Sequence, residues 1–232
     1  MNEEIICINN NVTEIIPIFK HNFCESRLQN NEGPEVYNAC SALVITIIPI
    51  ITGFPVYPQF YNVAMMLAVN GIASSHYHYY LSWSGKQADE ISMILANYFG
   101  LWGLINMYYN KTQERNQLNK YNTIFMYLFL TINTLIEYDK LFPSIFGSYV
   151  GFSVIMINKV ANKYNAPYKR YLLVSFLGFV CWMISEYDCN ESTVHGHTIW
   201  HILFPLGFYR LLQRYDNIKL KPEIKSHDKN FR

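Results

Sequence analysis

A run of fifty residues without one charged side chain constrains the fold of this chain more than any other feature. Between Val36 and Gly85 the sequence contains no Asp, Glu, Lys or Arg. A soluble domain would have to bury the entire run, whereas two membrane helices joined by a short turn explain it directly. Gly53, Pro55 and Pro58 mark where that turn falls. The run therefore predicts two consecutive membrane-spanning helices.

Seven apolar segments of suitable length for membrane helices follow one another along the chain. They cover residues 36–54, 60–83, 90–109, 121–137, 142–159, 170–186 and 194–211. Because the bilayer contains no water to hydrogen-bond the backbone, each segment is expected to be helical. The sequence therefore predicts an all-α, polytopic membrane protein built as a seven-transmembrane helical bundle.

The basic residues predict the orientation of these spans. The side that holds the N-terminus and three alternate loops carries four of the 18 Lys and Arg residues, and the other side carries fourteen. Loops rich in Lys and Arg stay in the cytosol. We therefore expect a non-cytosolic N-terminal segment (1–34), a seven-span catalytic domain (35–212) and a cytosolic basic tail (213–232) that is disordered.

Composition argues against two classes of function. The formal net charge is +1, and no stripe of basic residues alternates with aromatic ones as a nucleic-acid groove would require. The five cysteines include no CxxC pair, so a thiolate zinc site is not expected. The candidate functional residues must therefore be sought among the polar residues of the apolar segments.

Three polar clusters interrupt those segments. The second segment ends in the run from Ser74 to His78, the third begins at Asp89, and the seventh begins with His197 and His201. Ionisable groups inside a membrane are costly and are functional candidates. In the predicted topology all three clusters lie on the same side of the membrane at similar depth. We therefore expect them to meet.

The spacing of these residues points to a metal. His197 and His201 are four residues apart, as are Ser74 and His78, so each pair shares one helix face. Three histidines and a water would form a four-coordinate catalytic zinc site. Asp89 could then act as general base or orient a ligand histidine. Because zinc activates water and polarises carbonyl groups, such a site suits hydrolysis of an unreactive amide.

Each residue taken alone also has a structural explanation. A histidine pair at this spacing often binds no metal, and a serine in a membrane helix commonly packs or bonds its own backbone. Asp89 and Glu90 lie at a predicted helix start, where acidic side chains favour the helix dipole. The matched depth of the three clusters is what favours the metal-site hypothesis.

The order Ser, His, Asp, His, His at these spacings resembles the alkaline ceramidases and their superfamily of seven-span membrane hydrolases and receptors. Two further segments, Phe23-Cys24-Glu25 and Asp89-Glu90-Ile91-Ser92, favour the ceramidases within that superfamily. The resemblance extends from about residue 20 to residue 211. It implies an enzyme of the endoplasmic reticulum or Golgi membrane that takes ceramide from the bilayer and cleaves its amide bond, giving sphingosine and a fatty acid.

The resemblance also implies roles for individual residues. His78, His197 and His201 would bind zinc. Asp89 would transfer protons, and Ser74 would position the water or stabilise the oxyanion. No nucleic acid is implied as a partner, and protein partners are unknown.

A second metal site, for calcium, is implied in the N-terminal segment at Asn22, Glu25 and Glu35. There the chain departs from the family pattern, since Asn22 replaces an acidic residue and Arg27 stands where a neutral ligand is expected. Fewer carboxylates weaken the binding of a hard, oxygen-seeking cation.

The resemblance further supports a disulfide between Cys24 and Cys189. Both residues lie on the non-cytosolic side in the predicted topology. An oxidising lumen would permit the bond, which would tie the N-terminal segment to the loop before the last span.

Other functions stay open. A receptor of the progestin/adipokine kind is expected to place its N-terminus in the cytosol, opposite to the orientation that the basic residues predict. Another lipid amidase or lipase of the same superfamily would keep the orientation and change the substrate. A transporter would use the intramembrane His and Asp residues as a proton relay.

Overall fold

The computed structural model describes residues 23–30, 33–135 and 141–227, which form helices and turns with no β-strand among them. A short helix, α1 (Cys24–Leu28), comes first. Seven long helices follow: α2 (Val36–Thr52), α3 (Pro58–Tyr80), α4 (Trp83–Tyr108), α5 (Thr112–Leu135), α6 (Leu141–Tyr164), α7 (Lys169–Tyr187) and α8 (Gly196–His227). Each long helix overlaps one predicted apolar segment. The all-helical prediction is confirmed for this part of the chain.

The length and hydropathy of the helices indicate fewer membrane spans than the charge pattern of the sequence predicts. By length and composition, one helical stretch within the described ranges qualifies as a span, Phe142–Tyr164 of α6. Helix α2 is also apolar but has only 17 residues. The arrangement of seven spans therefore stays a prediction.

The turn between α2 and α3 lies where glycine and proline predicted it. Helix α2 ends at Thr52, and the next residue, Gly53, has a φ of +89° that favours glycine. Pro58 occupies the first turn of α3, a position where its missing N–H costs nothing. The Asp216 carboxylate, from α8, accepts hydrogen bonds from the backbone N–H groups of Val56 at 3.0 Å and Tyr57 at 2.7 Å. The C-terminal helix thus fixes the start of α3.

Small residues let α7 and α8 pack closely. A Cβ atom added at Gly196 of α8 would collide with the Cys181 carbonyl of α7, and one at Gly207 would collide with Ser175 of α7. Close backbone approach at glycine and serine is typical of helix pairs in membranes. Helix α8 also packs against α2, and α3 packs between α2 and α4. These contacts bring the start of α8 beside the end of α3.

The expected disorder after Gln213 was wrong for residues up to His227, because α8 continues to that residue. Tyr215 is completely buried, and its hydroxyl donates to the Ile157 carbonyl of α6 at 3.1 Å. Asp216 is buried as well. The polar composition of this stretch hid a face that packs against the bundle.

Candidate metal centre

Three histidines from helices distant in the sequence meet at one end of the bundle. His78 lies in the last turn of α3, and His197 and His201 lie near the start of α8. One nitrogen from each ring lies within 4.8 Å of those of the other two, and all three side chains are buried. In the described part of the chain, no other group of His, Cys, Asp or Glu residues has this geometry. The three residues predicted as zinc ligands therefore lie close enough to share one ion.

Helix α2 and the residue just before it orient two of these rings. The Nδ1 atom of His78 lies 2.5 Å from Oε2 of Glu35. The Nδ1 atom of His201 lies 2.9 Å from the hydroxyl of Ser41. Since that hydroxyl donates to the Asn38 carbonyl at 3.0 Å, it accepts from His201. Both contacts leave Nε2 as the ring nitrogen for a metal.

The third ring is oriented from α7. The Nδ1 atom of His197 lies 3.3 Å from Oε1 of Glu186. All three Nδ1 atoms thus have polar partners, and two of those partners are carboxylates. Histidines that ligate metals almost always have such a partner on the second nitrogen. Three buried Nε2 atoms held in this way fit a zinc ion with one open coordination position.

Ser74 and Asp89 lie together beside this cluster. Ser74 is one turn before His78 on α3 and hydrogen-bonds the Asp89 carboxylate of α4. The side-chain amide of Asn70 donates to Oδ1 of Asp89 at 2.7 Å. Helix α4 begins at Trp83, so Asp89 is in the second turn, beyond the reach of most of the helix-dipole effect. The carboxylate is therefore fixed by α3 rather than placed at a helix start.

Asn70 was missed from the sequence. Its side chain is buried and also donates to the Ser92 hydroxyl at 3.0 Å. Asn70, Ser74 and His78 follow one another at intervals of four residues on α3. That spacing places all three on one helix face and would have been sufficient to find it.

Glu25, one of the residues predicted to bind calcium, caps α2. Its carboxylate accepts hydrogen bonds from the backbone N–H groups of Tyr37 at 2.8 Å and Asn38 at 3.0 Å. Burial raises the pKa of the Glu25 carboxyl above its ordinary value, and the two backbone hydrogen bonds act against that rise. The residue therefore has a structural role with or without a bound cation.

Glu35 is also engaged within the protein. Its carboxylate accepts from the Ser26 hydroxyl as well as from His78. Asn22 lies outside the described residues. Near Glu25 and Glu35, the side-chain oxygen of Asn38 is buried and has no hydrogen-bond partner among the residues that the structure describes, and a hard cation would satisfy it. The calcium site stays a prediction.

Helix α1 covers the histidine cluster. Cys24 and Cys189 form a disulfide, with Cα atoms 5.3 Å apart, so α1 is joined covalently to the loop after α7. The Phe23 ring packs edge-on against His197 with ring centroids 4.6 Å apart, and it lies 5.5 Å from the ring of His78. Phe23 and helix α1 are therefore part of the wall of the candidate centre.

Comparisons with known proteins point to one family. The family model described as Ceramidase matches residues 19–232. A Dictyostelium discoideum protein that carries the name alkaline ceramidase is 28% identical over 169 residues, which cover 62% of this chain and 59% of that protein. Alkaline ceramidase 1 of Mus musculus is 24% identical over 210 residues, covering 80% of this chain and 75% of the mouse protein. An alkaline ceramidase of Caenorhabditis elegans is 22% identical over 238 residues, covering 89% and 84% of the two chains.

Proposed function

This chain belongs to the ceramidase family, and from that premise we propose that it is a zinc-dependent hydrolase that cleaves the amide bond of ceramide within the membrane. The products are sphingosine and a fatty acid. The observation that carries the proposal is the buried cluster of His78, His197 and His201, with the paired Ser74 and Asp89 beside it. This set provides three nitrogen ligands for the ion and, in Asp89, one carboxylate that is not a ligand.

A bound zinc ion would polarise the amide carbonyl and increase the acidity of the attacking water. Asp89 accepts a proton from that water and returns it to the leaving amine, so the carboxylate ends each cycle as it began. Asn70 donates to Asp89 at 2.7 Å and fixes its orientation. Ser74 is a hydroxyl donor one turn from His78, where it positions the water or stabilises the developing oxyanion.

The outer surface of the helices supports the membrane part of the proposal. Large apolar side chains are exposed along several long helices, among them Ile51 (77%), Ile72 (60%) and Phe176 (58%). Monomeric soluble proteins rarely expose extensive apolar surface. Seven membrane spans within residues 35–212 would cover these side chains with lipid, and ceramide would reach the centre from the same phase.

Turnover of ceramide in water labelled with ¹⁸O tests the reaction class. We expect the detergent-purified protein to release sphingosine and fatty acid in equal amounts, with one ¹⁸O atom in each carboxyl group. The label enters because hydrolysis adds a water oxygen to the acyl carbon. Mass spectrometry of both products measures it, and protein stripped with a zinc chelator is the control. If zinc-loaded protein leaves ceramide intact, the substrate is another lipid or the protein is a receptor.

The orientation of the chain separates the enzyme from the receptor. We expect a tag at the N-terminus to be protected from antibody until the lumenal side is opened, and a tag at the C-terminus to be accessible from the cytosol. The reason is the division of basic residues, four on one side and fourteen on the other. Selective permeabilisation with digitonin measures both tags in the same cells. A cytosolic N-terminus would favour the receptor.

A further inference from the structure

Glu186, near the C-terminal end of α7, connects the metal centre to the N-terminal segment. Its Oε1 atom faces Nδ1 of His197 at 3.3 Å, and its side chain is 14% exposed. The other oxygen, Oε2, accepts from the guanidinium of Arg27 at 3.2 Å and from the backbone N–H of Cys24 at 3.1 Å. The two oxygens of one carboxylate thus serve two different parts of the molecule.

Helix α1 holds this carboxylate in several ways at once. Arg27 also donates to the backbone carbonyl of Glu186 at 2.8 Å. Cys24, whose N–H contacts the carboxylate, is bonded to Cys189, three residues beyond Glu186. One backbone donor, one charged donor and one covalent bond therefore restrict where the side chain can lie. Arg27, the residue that departs from the expected calcium pattern, has its partner here.

We infer that Glu186 is a positioning residue that holds the His197 ring for zinc, and that Arg27 and the backbone of Cys24 keep Glu186 in place. The inference rests on the proposed zinc site. A carboxylate that accepts from Nδ1 fixes the tautomer and the plane of the ring, and it makes Nε2 a better ligand. Anchoring α1 would require only Oε2 and the backbone carbonyl. The approach of Oε1 to His197 has no part in such an anchor.

The test is zinc affinity, measured on the full-length purified protein by competition with a coloured chelator, so ceramide is not needed. Glu186→Ala is expected to weaken zinc binding about 10- to 100-fold. Glu186→Gln keeps an oxygen that can accept from Nδ1 and is expected to lose less. Arg27→Ala should fall between Glu186→Ala and the wild type. Glu191→Ala, an exposed acidic residue of the neighbouring loop, is the matched control and should match the wild type.

A second measurement excludes a merely structural effect. The thermal unfolding of metal-free Glu186→Ala and Arg27→Ala is expected to be similar, because both lose a contact between Oε2 and α1, whereas only Glu186→Ala also loses the contact with His197. Wild-type zinc affinity in Glu186→Ala would overturn the inference, as would equal loss in the Ala and Gln variants accompanied by unfolding of the metal-free protein. The two proposals fail separately. Zinc affinity in the expected order without ceramide turnover would refute only the substrate, whereas turnover with unchanged affinity would refute only the role of Glu186.

Discussion

Replacing His197 by alanine is expected to remove both zinc and ceramide turnover from the purified protein. The wild type should carry about one zinc per chain, since three histidines and a water complete a tetrahedral site. With two histidines left, the ion loses a third of its protein ligands. Turnover should fall at least about 1,000-fold, because the lost ion both polarises the carbonyl and activates the water. Elemental mass spectrometry and a fluorescent ceramide assay on one preparation measure both quantities.

His195 provides the matched control for this experiment. It is two residues from His197, but it is exposed, and its ring packs against Tyr37 with centroids 4.9 Å apart. His195→Ala is therefore expected to keep zinc and turnover near wild-type levels. Zinc retained in full by His197→Ala, or lost equally from both variants, would contradict the proposed ligand set. An absence of zinc in the wild type would mean that the three histidines only contribute to the packing of the helices.

Asp89→Asn is expected to separate metal binding from catalysis. The substitution preserves size, and the new amide oxygen can still accept from Asn70, which now bonds the carboxylate at 2.7 Å. The zinc content should therefore stay as in the wild type. Turnover should fall roughly 100- to 10,000-fold, the usual contribution of a general acid or base. The readouts are kcat and zinc content of the same sample.

Ser74→Ala completes this experiment. In the proposed reaction Ser74 carries no charge and transfers no proton. Its loss should therefore lower kcat less than the loss of Asp89 does. If Asp89→Asn loses zinc together with turnover, Asp89 is a zinc ligand and not the general base. Unchanged turnover in Asp89→Asn would remove it from the mechanism altogether.

Much of the fold follows from where charge is missing in the sequence. Helices α2 and α3 fill the uncharged run, and the turn between them falls at Gly53 and Pro58. These features are local, because glycine, proline and the length of an apolar segment act within a few residues. The approach of His78 to His197 and His201 is not local, but the predicted topology, which gives the three residues a similar depth, was enough to predict it.

The partners of the histidines could not be predicted in the same way. His78 is held by Glu35 and His201 by Ser41, residues that lie 43 and 160 positions away. No spacing rule links residues on different helices, since the pairing depends on how the helices rotate when they pack. The family resemblance implies a calcium ligand at Glu35, yet the contact of this residue with His78 is visible only in three dimensions. The sequence pattern therefore predicts the metal-binding histidines more readily than the side chains that orient them.

The end of α8 shows a related limit. Leu211 and Tyr215 are buried at a spacing of four residues, and Ile218 packs against the same core. The apolar face therefore continues past Gln213 at helical spacing. Arg214 and the other polar residues between those positions conceal this face, because the composition of a segment does not separate one side of a helix from the other.

The hydrogen bonds from Val56 and Tyr57 to Asp216 have a practical consequence for anyone who trims or labels this protein. If the chain were cut after Gln213 and a fluorescent protein fused there, Tyr215, Asp216 and the polar end of α8 would be removed. The two residues before α3 would then lose the carboxylate that accepts their N–H groups, while His78 lies at the opposite end of that helix. A truncated chain could therefore be inactive although its histidines are all present. Reporter fusions and purification tags belong after His227.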